Sequence, residues 1–164
     1  IIHVPSSVNE IVHILFQVTI FVSLILEKIS SNAKIFFLST FEEICIPSNV
    51  IEIPENFIEL NKNIRKIKFD KNSQLRSICK NAFSMSSIES IEIPSSVQEL
   101  CKETFCLCSS LENISLPHKL KRIGTRTFAS CISLSELKIP NNVETIGDNA
   151  FNLCASLKIY RHGE

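Results

Sequence analysis

The side chains of this chain best suited to chemistry are its cysteines. There are seven among 164 residues, accompanied by four histidines and by 17 acidic and 17 basic side chains. Thiolates and imidazoles together can bind zinc, and a thiolate beside a histidine can act as a nucleophile. The spacing supports neither. Cys106-x-Cys108 is one close pair with no second pair to complete a tetrahedral site, and His3, His13, His118 and His162 are scattered. No Gly-x-Ser-x-Gly elbow, His-Glu-x-x-His pair, Gly-x-Gly-x-x-Gly turn or P-loop occurs. Three glycines in the whole chain argue against glycine-rich phosphate loops. The sequence predicts no catalytic set, no metal site and no cofactor, hence a protein that is not an enzyme.

The cysteines follow another rule. Cys108, Cys131 and Cys154 fall 23 residues apart, and they do so inside a sentence written three times, over residues 91–113, 114–136 and 137–159. Each copy places an aliphatic at its first and third positions, a proline or its equivalent at the fourth, and aliphatics at the seventh and tenth. Phe, Cys and Leu follow at the fifteenth, eighteenth and twenty-first. In the last copy these are Leu137, Ile139, Pro140, Val143, Ile146, Phe151, Cys154 and Leu157. A fixed period of this length marks a solenoid, in which stacked copies bury a face that one copy cannot bury alone. The opening alternation reads as a short strand with one face inward, stacking into a parallel sheet. Proline cannot donate to that ladder and marks where pairing stops. The segments GTRTFAS and GDNAFNL read as a turn of helix or a tight loop on the opposite side. Gly124 and Gly147 open these segments, but Cys101, Cys79 and Pro54 hold the same slot, so the glycines read as convenient rather than obligatory. The recurring cysteines read as a column of reduced, buried, small side chains. Cys79 and Cys101 share a second slot, and an odd total leaves at least one free thiol in a monomer.

The aliphatic-Pro-x-x-Leu step and the Phe-x-x-Cys-x-x-Leu step, as they run through Leu111–Leu134, resemble the leucine-rich repeats of BspA-like proteins. The resemblance covers most of the chain. It implies an α/β leucine-rich-repeat solenoid with one short parallel strand per repeat of ~23 residues and a short helix or loop on the convex side. It also implies a cell-surface or extracellular protein of protists or bacteria that works in adhesion and host-protein binding.

The rest of the chain fits one solenoid over residues 1–164. Residues 2–24 form a diverged repeat and 25–43 an irregular one. Regular repeats occupy 44–66, 67–90, 91–113, 114–136 and 137–159, with Asn61 in the cysteine slot and a longer loop around FDKNSQL. The uncharged run over 11–26, interrupted by His13, Gln17, Thr19 and Ser23, is short for a membrane helix, which needs ~20 apolar residues. It reads as part of the diverged repeat. The alternatives are a buried or partner-facing helix and a membrane segment. The missing initiator Met and the lack of a polar cap after the last repeat lead us to expect a piece of a longer chain.

Outward positions beside the strands line the concave face of such a solenoid and are the candidate binding surface. The candidates are Arg65, Lys66, Lys68, Glu89, Glu92, Glu112, Ser115, Glu136 and Lys138, basic at 65–68 and acidic at 89–92. The bland alternative for each is a solvated residue in a cross-coil ion pair worth about 0–1 kcal/mol. Aromatic side chains are absent from these slots as the period numbers them. The expected partner is a protein. A net charge of zero argues against nucleic acid and anionic membrane. Asn113-Ile114-Ser115 is a glycosylation sequon that reads as a chance match, because a glycan there would block the concave face. An intracellular repeat scaffold is the alternative function, since unpaired cysteines suit a reducing compartment.

Overall fold

A computed structural model of the chain describes residues 42–161. The expected diverged repeat at 2–24, most of the irregular one at 25–43 and the apolar run at 11–26 lie outside the described residues. Eleven short strands follow in order: β1 (Glu43–Ile46), β2 (Glu52–Ile53), β3 (Lys66–Phe69), β4 (Ser77–Ile78), β5 (Ser90–Glu92), β6 (Glu99–Leu100), β7 (Asn113–Ser115), β8 (Arg122–Ile123), β9 (Glu136–Ile139), β10 (Thr145–Ile146) and β11 (Lys158–Arg161). The odd-numbered strands stack into a parallel sheet, β1-β3-β5-β7, with β9 packed beside β7 and paired to β11. The even-numbered strands form a second parallel sheet, β10-β8-β6-β4-β2. Each coil thus contributes one strand to each sheet.

Identical register turns the sequence slots into columns. Ile44, Ile67 and Ile91 lie opposite one another along the first sheet and are buried. Ile53, Ile78, Leu100 and Ile123 do the same in the second. Ile123 is 1% exposed with a coil on either side, whereas Ile146, in the same column of the last described coil, is 41% exposed. Pro47 follows β1 and Pro140 follows β9, ending the strands where proline was expected to end them. Each proline carbonyl then accepts the amide three residues on, as in Val50 N to Pro47 O (3.3 Å) and Val143 N to Pro140 O (3.1 Å). That turn swings the chain from the first sheet into the second.

Two expectations need correction. The sequence suggested one strand per repeat; the two-residue strands of the second sheet were missed because so short a segment carries almost no alternation. It also suggested a helix or loop across from the first sheet, and the described residues contain no helix. The segment there is a third ladder of turns. Its amides alternate between the next coil and a local carbonyl. Glu103 N, Phe105 N and Leu107 N donate to Thr125, Thr127 and Ala129 carbonyls of the next coil, at 2.8–2.9 Å. Cys106 N and Cys108 N donate three residues back, to Glu103 and Phe105, at 3.1 Å each. Each coil holds two residues here at positive φ: Glu103 (58°) and Leu107 (61°), then Arg126 (55°) and Ser130 (61°), then Asn149 (56°) and Leu153 (60°). A left-handed residue at every fourth position prevents a right-handed helix from propagating.

Under this ladder lies the Phe column. Phe105 stacks on Phe128 at 5.5 Å between ring centroids, and Phe128 on Phe151 at 5.7 Å, with interplanar angles of 3° in both pairs. Phe83 meets Phe105 tilted, at 5.2 Å. Phe83, Phe105 and Phe128 are fully buried. Just before each ring, buried Thr104 and Thr127 donate their hydroxyls to the carbonyls of Cys101 (2.9 Å) and Gly124 (2.7 Å), which closes the corner.

Gly124 and Gly147 stand at that corner, and the structure reverses the reading of them as merely convenient. A Cβ on Gly124 would lie 2.6 Å from the Cys101 carbonyl carbon, and one on Gly147 would lie 2.3 Å from the Thr125 amide nitrogen. These neighbours are backbone and cannot rotate away. What demands glycine is closeness of the adjacent coil, which the tolerance of the slot for Cys and Pro in earlier coils did not reveal.

Two stability predictions follow from these columns. Phe128→Ala removes a ring packed from both sides and should cost about 3–5 kcal/mol in urea denaturation. Gly147→Ala should cost about 1–3 kcal/mol through forced separation of two coils. A neutral Gly147→Ala variant would show that the corner can open freely.

Candidate functional site: the face of the first sheet

The outward columns of the first sheet are set by the same register that buries its core. Glu43, Lys66, Ser90 and Asn113 stand opposite one another, and Glu136 stands opposite Lys158; two residues on, Cys45 stands opposite Lys68, Glu92 opposite Ser115 and Lys138 opposite Tyr160. All nine candidates from the sequence are exposed. Lys66, Lys68, Glu92, Ser115, Glu136 and Lys138 line one open groove of about 1140 Å³. Arg65, Glu89 and Glu112 each stand one residue before a strand and do not line it.

Charges in and beside these columns pair between coils. Arg65 bonds Glu89, and Lys68 Nζ lies 2.7 Å from Glu43 Oε1. Lys138 instead pairs within its own strand, 3.7 Å from Glu136. The side chains involved are about half exposed or more, so each pair contributes about 0–1 kcal/mol. The groove also has apolar lining from Phe69, Ile93, Leu116, Pro94 and Pro140. Phe69 and Leu116 are only partly buried. The sequence reading missed this strip because it counted Phe69 as part of an irregular loop.

It also missed an aromatic residue. β11 arrives one residue early: Lys158, not Ile159, lies opposite Glu136, and Tyr160 lies opposite Lys138. A slip of one residue exchanges inward for outward positions. Ile159 lies opposite the inward Leu137, and Tyr160, 42% exposed, lies opposite the outward Lys138. The clue in the sequence is Leu157-x-Ile159 where the previous coil has Leu134-x-x-Leu137. The sequon residue Asn113 is exposed on β7 and lines the groove.

The cysteine column is core, with a polar duty the sequence did not suggest. Each thiol donates to the phenylalanine carbonyl of the preceding coil: Cys108 Sγ to Phe83 O (3.0 Å), Cys131 Sγ to Phe105 O (3.1 Å) and Cys154 Sγ to Phe128 O (2.9 Å). Asn61 fills the slot in an earlier coil and instead accepts from Asn63 N (2.9 Å) and Ile64 N (2.8 Å) of its own chain. Burial pushes the Cys108 thiol up to about 11 and raises Cys131 further. All seven cysteines are free, and no cluster of three or more metal-ligating side chains occurs among the described residues.

Two stacked parallel sheets, a repeat of about 23 residues and inward aliphatic columns define a leucine-rich-repeat solenoid of about five described coils. The family model for the BspA-type leucine-rich repeat region, in six copies, matches residues 1–74 and 27–158. The chain belongs to the BspA-type leucine-rich repeat family. Among solved structures it is similar to the pneumococcal vaccine antigen PcpA, at 32% identity and a TM-score of 0.71 over 74% of this chain and 31% of that one. It is similar to the T. pallidum leucine-rich repeat protein TpLRR, at 29% identity and a TM-score of 0.68 over 74% of this chain and 59% of that one. A leucine-rich repeat protein from Bacteroides ovatus matches at 29% identity and a TM-score of 0.58 over 71% of this chain and 36% of that one. The chain therefore spans less than two thirds of each of these proteins. No curated protein sequence matches it.

Buried thiols make the fold sensitive to alkali. An unfolded thiol ionises near 9.0, whereas folded Cys108 holds its proton to about 11. Its contribution is complete below about pH 9 and is lost as pH rises toward the folded value, because the unfolded chain then releases a proton that the folded chain keeps. Stability from urea denaturation should fall over this interval by about 1.4 kcal/mol per pH unit for each such thiol. The slope should flatten in a Cys108→Ala, Cys131→Ala double variant; an unchanged slope would assign the loss to other groups.

Proposed function

We propose that this chain is a non-enzymatic protein-binding module of a cell-surface protein that works in adhesion, and that it engages its partner through the face of the first sheet. The observation that carries this reading is the open groove there, built from adjacent coils, with charged rims and an apolar strip at Phe69 and Leu116. The proposed contacts are Arg65, Lys66, Lys68, Glu89, Glu92, Glu112, Ser115, Glu136 and Lys138, with Tyr160 added as an aromatic anchor of the kind that dominates protein interfaces. Membership of the BspA-type family supports a repeat-built binding scaffold. Similarity to a pneumococcal vaccine antigen supports the surface location. Among the described residues no helix is long and apolar enough to cross a membrane. A groove of this polarity gives modest affinity per module, to be strengthened by repetition along a longer array.

A second reading, an intracellular scaffold for protein partners, draws on the seven free cysteines, which suit a reducing compartment. Location separates the two. Intact cells treated with a membrane-impermeant amine label should yield labelled peptides of this chain if it is a surface module; labelling only after lysis would favour the scaffold. Binding to immobilised extracellular-matrix proteins should fall at least about tenfold, equivalent to about 1.4 kcal/mol, in a Lys66→Glu, Lys68→Glu, Tyr160→Ala variant. Lys121→Glu, on another face, should leave it unchanged. Equal losses from both variants would remove the groove from the interface.

A further inference from the structure

Cys79 and Cys101 differ from the other cysteines in what they face. They directly follow β4 and β6, whose parallel register sets Ile78 opposite Leu100. Cys101 N donates to Ile78 O at 3.0 Å, so the two cysteines are the next step of the same ladder. Neighbouring parallel strands lie about 4.8 Å apart, within the Cα separation of about 4.4–6.8 Å that a disulfide spans. Both side chains are half-buried at an outer corner and open to solvent. The Cys79 and Cys101 sulfurs are hydrogen-bonding neighbours, so the two side chains face each other. Cys108, Cys131 and Cys154 aim instead at carbonyls, and Cys45 at Asp70.

The local charges favour one thiolate within the pair. The hydrogen bond between the sulfurs stabilises it, helped by the Arg122 guanidinium and opposed by burial, Glu99 and Glu52. Arg122 is held in place by Glu99, 2.7 Å away, on the next strands of the same sheet. Just beyond the pair the chain leaves the ladder at Asn81 and Glu103, both at positive φ. The corner is therefore not bound to strict β geometry.

We propose that Cys79 and Cys101 are a redox-active pair that closes, with a low-molecular-weight disulfide as oxidant, into a bond stapling one coil to the next. One of the two, as thiolate, attacks one sulfur of the small disulfide and displaces the other as a thiolate, leaving a mixed disulfide on that cysteine. The second cysteine, losing its proton to solvent, then attacks that sulfur and displaces the other small thiolate. Two protein thiols are oxidised by two electrons, and one small disulfide is reduced to two thiols. Closure would tie the coil containing β4 to the coil containing β6 while leaving the groove on the first sheet untouched. The staple thus does not depend on the binding role proposed above, and its failure would not bear on that role.

The test is oxidation of the native full chain with glutathione disulfide at about pH 8, followed by acid quench, alkylation and tryptic mapping. Trypsin places the two cysteines in separate peptides, 77–80 and 81–102, each with a single cysteine. The expected product is these two peptides joined, short of two hydrogens, with two glutathione thiols released per chain and a thermal midpoint raised by several degrees. Cys79→Ser and Cys101→Ser should each stop at glutathione bound to the remaining cysteine, with no link between the two peptides; far-UV circular dichroism checks that both variants remain folded. Wild-type chain that leaves 77–80 and 81–102 unlinked, or that links Cys106 or Cys108 first, would overturn the proposal.

Discussion

Everything in this molecule depends on one coil lying on the next at hydrogen-bonding distance. No coil can bury its own apolar face, and the isoleucine column of the second sheet measures the difference: Ile123 is closed off between two neighbours and Ile146, with one described neighbour, is not. The backbone follows the same rule. Its amides reach between coils in both sheets and again in the turn ladder, where Glu103, Leu107, Arg126 and Ser130 sit at positive φ and each donates to the adjacent coil. A non-glycine residue held left-handed costs about 1–2 kcal/mol, and the cross-coil bond made by that same residue offsets it. The strain and its compensation both exist only in the stack.

Close stacking also explains side chains that composition alone leaves ambiguous. Cysteine is small enough for the inward slot beneath the turn, and its thiol satisfies a carbonyl from the preceding coil. Glycine appears where the approach of the neighbour leaves no space for a Cβ. Thr104 and Thr127 turn their hydroxyls to the corner carbonyls, so a polar side chain can be fully buried without an unsatisfied group. Each of these is a local answer to the spacing between coils.

The outer faces are free of that demand, which is why the molecule can vary them. Acidic and basic residues are mixed along these faces, and the pairs they form between coils, such as Lys68 with Glu43 and Arg122 with Glu99, add only about 0–1 kcal/mol each. A surface built this way can change its charge pattern coil by coil without disturbing the columns beneath it. That independence suits a scaffold whose relatives include a vaccine antigen and repeat proteins from several bacteria.

The sequence by itself determined the period, the inward aliphatic columns, the Phe and Cys columns and the proline stops. These recur as residue types at constant spacing, and burial selects residue type. It also placed Lys66, Lys68, Glu92, Ser115, Glu136 and Lys138 on one face, since a side-chain period of two leaves no other position for them. Only the tertiary structure decided the rest. A turn ladder stands where a turn of helix or a tight loop was expected, and its left-handed residues include Glu, Leu, Arg and Ser, types that carry no local signal for positive φ. The glycine corner was invisible because its constraint comes from another coil. Tyr160 reached the outward side beside Lys138, and Cys79 came to face Cys101, through register between strands. Register is a relation between two segments, and no single segment records it.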